Sequence, residues 1–435
     1  MPRFNRDAPA DSADALGTPS RRAALRLLDA VLRRGEPLEQ ALVAATRHVY
    51  GPDRGLAHAI AAEVLRRLPD LDALIDSVTE RPLPDDAKAR MALRIALVQA
   101  LVLGTPHHAA IATVLPLVDG GPRKLVHGVF GAITRSGVLL PEIPALPPLV
   151  EARWDAAWGA EMAEGAQAAI AAPPPLDLTL ADPAETDHWA AELGGISLMP
   201  GHVRVADAGS VTDLPGFAEG RWWVQDIAAS IPARLLADRA PAGGGAAIDL
   251  CAAPGGKTLQ LAAAGFHVAA VDVSNARIKR LRENLFRTRL KAEVIAADVL
   301  TWAPDQPADA LLIDAPCSAT GIFRRHPDVL HRVHPPIIEE MALLQARLFA
   351  RAADWVKPGG TLVFATCSLE TQEGEVQLAR FLRDRPDYAI DAPDAALLPP
   401  GVPVHADGYV RTLPGMLVDR GGCDGFFIVR LRRDG

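Results

Sequence analysis

Apolar residues recur at three- and four-residue spacing from position 20 to about 137. The first stripe is Ala24, Leu27, Leu28 and Val31, between Ser20, which reads as an N-cap, and Gly35, which ends the helix. Similar stripes over 38–49, 53–68, 85–103 and 123–133 predict an all-α domain over 20–137, since nothing there alternates like a half-buried strand. A proline-dense stretch then predicts a linker over 138–149. Residues 150–240 mix signals: 154–170 and 188–193 read as helix, while 176–180, 203–205 and 222–224 read as strand, predicting a small α+β lead-in domain. From 241 to 435 the order becomes strand, glycine turn, helix, repeated. Strands are expected at 246–250, 268–272, 293–296, 310–314, 361–366 and 426–430. Helices are expected at 274–288 and 337–356, the second stopped by Lys357-Pro358-Gly359-Gly360. That alternation predicts an α/β domain, a parallel sheet with helices on both faces.

Composition adds bounds rather than identity. At 435 residues and 49% apolar content, two or three domains are expected. The first 19 residues lack an apolar stretch and read as a flexible tail rather than a signal peptide. Arg94 interrupts the best candidate for a membrane span, so no membrane partner is expected. Four cysteines, none in a CxxC pair or near a ligand-spaced histidine, argue against a disulfide frame or a zinc site, so no metal is expected and a reducing cytoplasm fits. The net charge of -8 speaks against a nucleic-acid partner until it is divided along the chain. Residues 1–150 carry +2, 151–240 carry -9 and 241–435 carry -1, so basic patches remain possible outside the acidic middle.

The candidate chemistry lies where three predicted strands end. The strand 246–250 runs into Cys251-Ala252-Ala253-Pro254-Gly255-Gly256-Lys257-Thr258, a loop whose glycines let backbone approach a ligand. It is neither a G-x-G-x-x-G nor a Walker A loop, so pyrophosphate and ATP are not indicated. Asp272, Asp298 and Asp314 stand at or just after three successive strands. One such residue is usually a turn or cap; three opposite a glycine loop favour a nucleoside, held by hydrogen bonds to its ribose and base. Cys317 and Cys367 each end a strand and each precede a serine, which sets them apart from an ordinary core cysteine such as Cys251 on its own. Arg324, Arg325 and His326 are candidates for holding an anionic backbone. A second basic run is Arg277, Lys279, Arg280, Arg282, Arg287, Arg289 and Lys291, whose plain alternative is a solvated helix face.

These residues carry a resemblance. From about 222 to 435, through Val224-Gln225-Asp226-Ile227-Ala228-Ala229-Ser230, the 251–258 loop, Asp314-Ala315-Pro316-Cys317-Ser318 and Thr366-Cys367-Ser368, the chain resembles the RsmB/NOP2/Sun group of S-adenosylmethionine-dependent RNA cytosine-5 methyltransferases. Residues 20–137 resemble a NusB-type RNA-binding domain, through Asp53-Arg54, the 93–99 segment and Pro106-His107-His108-Ala109. The resemblance implies a Rossmann-like methyltransferase fold, S-adenosyl-L-methionine as cofactor, and RNA as partner, 16S ribosomal RNA first. It also implies a cytoplasmic monomer. Cys367 would be the nucleophile and Cys317 would help remove the C5 proton and release the product. The loop from Cys251 through Ala252, Ala253, Pro254, Gly255 and Gly256 to Lys257 would cradle the methionine end. Asp272 would take the ribose, Asp298 the adenine side and Asp314 both cofactor and base, with Arg277 among the cofactor contacts. DNA cytosine methyltransferases use the Pro-Cys position as nucleophile, so the reverse assignment stays open. So do a tRNA substrate, a non-catalytic NusB-like RNA-binding factor and a nicotinamide dehydrogenase.

Overall fold

Residues 17–171, 173–206 and 208–435 are described by the computed structural model; most of the expected tail lies outside them. The chain divides into two units. The first holds residues 17–147 together with 326–332, and the second holds 148–325 and 333–435.

The first unit is helical: α1 (Thr18–Arg34), α2 (Leu38–Ala45), α3 (Pro52–Arg66), α4 (Leu68–Ser77), α5 (Lys88–Leu101), α6 (His107–Val114) and α7 (Gly121–Ser136). The periodicity missed α4 and α6, which are short. Ser20 is not the cap: Gly17 precedes α1, and the Ser20 hydroxyl donates to the Gly17 carbonyl at 3.0 Å from inside the first turn. Leu27, Leu28, Ile60, Leu93, Leu97 and Phe130 share one core. Arg94, whose charge broke the apolar run, is buried in α5 because Asp72 accepts from it at 2.7 and 2.8 Å.

The second unit opens with α8 (Pro148–Trp158) and α9 (Ala160–Ile170), one expected helix that Gly159 splits at a positive φ of 84°. Then come β1 (Leu176–Leu180), α10 (Thr186–Glu192), β2 (His202–Val205) and β3 (Trp222–Val224), with the strands in the antiparallel order β2-β1-β3. The large sheet follows: α11 (Ile227–Ala237), β4 (Ala246–Leu250), α12 (Gly256–Ala263), β5 (His267–Asp272), α13 (Asn275–Thr288), β6 (Glu293–Ala296) and β7 (Ala308–Asp314). The excursion 326–332 carries α14 (Val329–Arg332) into the helical unit. The chain returns through α15 (Pro335–Ala352), β8 (Val356–Thr366), α16 (Glu375–Asp384), β9 (Tyr388–Ile390), β10 (Val410–Thr412) and β11 (Phe426–Arg433).

Strand order is β10-β11-β8-β7-β4-β5-β6, with β9 on β11. The sheet is mixed, not wholly parallel. β8, β7, β4, β5 and β6 run parallel, while β11 lies antiparallel to β8, β9 and β10. The helix expected to reach 356 ends at Ala352, and Lys357-Pro358-Gly359-Gly360 begins β8 instead of stopping a helix. Alternation along β7 shows the two covered faces: Ala310 and Leu312 join the core under α11, Leu311 and Ile313 the core under α15 and α16. The chain leaves β4 toward β5 and later returns to β7 on the other side. The carboxyl edge between β4 and β7 is therefore the switch point, where an open α/β sheet binds its ligand.

Candidate active site

Two loops flank that switch point, 251–255 after β4 and 315–319 after β7. Cys251 takes a left-handed conformation (φ 60°), the Ala253–Pro254 peptide is cis, and Gly255 lies at φ 109°. A Cβ on Gly255 would come within 2.3 Å of the Leu281 side chain of α13, so only glycine fits where the loop passes that helix. Asp249, fully buried at the end of β4, accepts from the Thr258 hydroxyl at 2.6 Å, while its other oxygen has no protein partner. Burial, with the nearby Asp314 and Asp272 adding to it against Lys257, pushes its carboxyl up to about 7. Lys257 is buried and donates to Asp314 at 2.7 Å, bridging β4's loop to β7's end.

Asp272 accepts from the Ala253 N–H at 3.0 Å and the Ser274 N–H at 2.8 Å, which fixes its carboxylate on the loop. Arg277 approaches Asp272 at 3.6 Å and donates to the Ala253 carbonyl. Asp298 is exposed and caps its own turn, accepting from Leu300 N–H at 2.9 Å. Cys251, Asp272, Arg277, Asp298, Pro316 and Leu348 are among the walls of a cavity of about 120 Å³. Cys251 both packs against the core under α15 and α16 and lines this cavity, and burial pushes its thiol up to about 12, so it stays protonated. Together the cavity, the unpartnered Asp249 oxygen and the glycine-only loop fit a nucleoside bearing a charged tail.

On the other side of Lys257 and Asp314 lie the cysteines. β7 and β8 are parallel neighbours in register, so their carboxyl ends deliver Cys317 and Cys367 side by side, sulfurs 3.4 Å apart. Both are partly exposed. The following serines also meet, at 3.2 Å, and both hydroxyls donate to one carboxylate, Glu373. Glu373 further accepts from the Ser318 N–H at 2.9 Å and the Gln345 amide at 3.1 Å; Gln345 also donates to the Pro316 carbonyl at 2.9 Å. The Gly321 N–H donates to the Cys367 carbonyl at 3.0 Å. The Cys317 thiol is pushed well above its ordinary range by Cys367, then by burial and the Glu373 charge. Two thiols this close lose their protons one at a time.

Other predicted residues fall elsewhere. Arg324 and Arg325 do not face an anionic ligand: both pair with Asp226 and Asp424 in a buried cluster. Of the second basic run, Arg277 to Arg287 lie on α13, Arg289 is its C-cap and Lys291 lies beyond it, and Arg287 packs back onto the fold. Sequence reasoning missed Glu373 and Gln345, whose only signal was the serine after each cysteine, and gave no role to Asp249 and Thr258, which it placed in the first strand and its loop. A larger hollow of about 870 Å³ lies at the amino ends of β4 to β7, lined by Ala246, His267, Glu293 and Ala308; of the predicted residues only Lys291 reaches it, and none of the cysteines or strand-end aspartates does. Size does not locate the chemistry here.

A cavity beside a glycine-only loop at the switch point of a Rossmann-like sheet, with two thiols on neighbouring strand ends, is the layout of an S-adenosylmethionine-dependent methyltransferase. A family model described as 16S rRNA methyltransferase RsmB/F matches residues 238–432, and a NusB family model matches 18–135. The ribosomal RNA small subunit methyltransferase B of Xanthomonas campestris is 36% identical, over 96% of this chain and 98% of that one. Its Klebsiella pneumoniae counterpart is 33% identical over 94% and 97%. The chain belongs to this RsmB/F methyltransferase family. Among solved structures, PH0851 superposes with a TM-score of 0.73 at 23% identity, over 96% of this chain and 99% of that one. The NSun6 protein of Pyrococcus horikoshii gives 0.55 at 17% identity, over 66% and 98%.

Proposed function

We propose that this enzyme methylates C5 of a cytosine in small-subunit ribosomal RNA, with Cys367 as nucleophile and Cys317 as its proton partner. The observation that carries the reading is the pair of sulfurs 3.4 Å apart, beside the Lys257–Asp314 bridge. The substrate follows from what the relatives are named for, and free cysteines without disulfides suit a reducing cytoplasm.

Cytosine C5 is a weak nucleophile. A Cys367 thiolate adding to C6 forms an S–C6 bond and pushes the ring's electrons onto C5, which then takes the methyl group. The cofactor, when bound, supplies that methyl group as an electrophile. Loop 251–257, Asp272 and Asp298 would hold it, with Asp314 facing both ligands. Until C6 is attacked, the Cys317 S–H can donate to the Cys367 sulfur 3.4 Å away. Once the S–C6 bond forms, that sulfur loses its charge and Cys317's proton is held less tightly. Cys317 then gives that proton to solvent, and its thiolate takes the C5 proton as the C–H electrons restore the C5–C6 double bond and expel Cys367 as a thiolate. The base must be unpaired or flipped to reach the sulfur.

The test is substitution. Cys367→Ala should reduce methylation to background and form no adduct. Cys317→Ala should accumulate a gel-stable protein–RNA adduct while turnover falls roughly 10²- to 10⁴-fold, the usual worth of a positioned proton carrier. Adducts that appear with Cys367→Ala and vanish with Cys317→Ala would reverse the roles. Bisulfite mapping of RNA from a strain lacking the protein should show one small-subunit 5-methylcytosine missing; a lost tRNA site with intact ribosomal RNA would overturn the substrate.

A further inference from the structure

The outer surface of α13 is not used by the chemistry above. Between 275 and 291 the chain holds seven Lys and Arg against a single acid, Glu283, within a protein of net charge -8. Ile278, Leu281, Leu285 and Thr288 turn inward. Lys279, Arg282, Phe286 and Arg289 are spaced by three and four residues, so they form one exposed strip. Phe286 is 89% exposed. A lone exposed phenylalanine is ordinary on a protein surface; what sets Phe286 apart is the cations three and four residues to either side of it.

The surroundings select what does. Arg287 belongs to the fold: it donates to the Phe217 and Trp222 carbonyls at 2.8 and 2.9 Å and lies over the Phe217 ring. The strip's cations are different. Arg282 and Arg289 have no hydrogen-bond or ion-pair partner among the described residues, and Lys279 meets only Glu283, loosely at 3.9 Å. An apolar protein partner would not call for cations on both sides of the ring. A flexible polyanion that also offers flat rings would, and single-stranded nucleic acid is that ligand: phosphates take the cations while a base stacks on the aromatic face. The strip begins beside the cofactor loop, where Arg277 donates to the Ala253 carbonyl.

We infer that the Lys279–Arg282–Phe286–Arg289 face of α13 binds an unpaired segment of the substrate RNA, stacking one base on Phe286. This rests on the RNA reading of the active site and extends it to a contact away from the reacting base.

The full-length chain tests it, with an oligocytidine 12-mer and a small-subunit ribosomal RNA transcript as probes. Phe286→Ala should weaken 12-mer binding by about tenfold, the loss of one stacked base, and raise KM for the transcript with kcat unchanged. Phe286→Trp should bind like the parent and Phe286→Leu like the alanine variant, since stacking, not apolarity, is required. Arg282→Ala with Arg289→Ala should flatten the salt dependence, lowering the log–log slope by about 1.4 for two lost phosphate contacts. Circular dichroism should be unchanged, because these side chains are on the surface. If Phe286→Ala binds both probes as the parent does, or Phe286→Leu restores binding, the inference fails while the active-site reading stands. Loss of a dimer by sedimentation, with RNA binding unaltered, would assign the strip to a second copy and also overturn it. A parent chain that neither binds nor methylates either RNA would sink the RNA reading itself.

Discussion

Glu373 has no acid–base task in the proposed reaction, yet it is fully buried against the two loops that carry the cysteines. It accepts hydrogen bonds from Ser318 and Ser368, one beside each thiol, so a single carboxylate sets the spacing of both sulfurs. Burial raises its pKa while the donors around it lower it. Glu373→Gln keeps the volume but removes the charge and mismatches two donors. The expected outcome is a stability loss of about 1–3 kcal/mol and a kcat reduced roughly tenfold or more, with KM for RNA little changed. The charge also helps hold the Cys317 proton, so single-turnover adduct release, which needs that proton gone, should shift to lower pH in the variant. A packing role alone would lower the amplitude and leave the pH profile in place. The cysteines themselves were legible, because an apolar run announces where a strand stops. Glu373 was not, because its meeting with Ser318, 55 residues away, exists only once β7 and β8 are neighbours.

At the scale of elements, β4, its loop and α12 act as one piece through the Asp249–Thr258 bond of 2.6 Å. Asp249's folded pKa of about 7 stands above its ordinary 3.8, so the fold favours the protonated form. Its contribution to stability is fully present below the ordinary value and is lost as pH rises through about 7. Asp249→Asn cannot titrate. Without cofactor, the stability of the parent should therefore fall relative to the variant between about pH 4 and 7, by at most roughly 1.4 kcal/mol per pH unit. Parallel thermal-unfolding curves for the two across that window would contradict the assignment. The same piece explains the glycine. Gly255→Ala must move Leu281 or the loop, and calorimetry should show cofactor affinity down by about tenfold or more, with RNA binding retained. The sequence announced each of these strands and the loop between them. It did not announce the direction of β11, because an apolar run reads the same from either end. Nor did it show that Pro358 and Gly359 begin β8, since the turn residues there are taken into an irregular first stretch of the strand.

At the scale of the whole molecule, the division into units does not follow a single cut in the chain. Residues 326–332 belong with the helical unit although the sequence on both sides belongs with the sheet. Their ties are few and specific. The Leu38 N–H donates to Asp328 at 3.3 Å, the His331 ring meets the Leu65 carbonyl at 2.7 Å, and Val329 and Leu330 are 1% and 4% exposed. No periodic pattern marks such a segment, since four residues of helix and two hydrogen bonds across 290 and 266 positions leave no local trace. The consequence is physical. A chain begun at residue 148 keeps every active-site residue but strips the partners from 326–332, leaving two aliphatic side chains bare, each worth about 1.5–3 kcal/mol when buried. Such a truncation should unfold at a lower temperature and aggregate more readily than the full chain. Adding Val329→Ser and Leu330→Ser to the truncation should recover solubility. In the full-length chain the same pair should instead destabilise the helical unit, while leaving the sulfur pair and its adduct chemistry in place. Opposite signs of one double substitution in the two backgrounds, read by thermal melts and light scattering, are the signature of a segment that folds with the helices. Equal effects in both would assign 326–332 to the sheet after all.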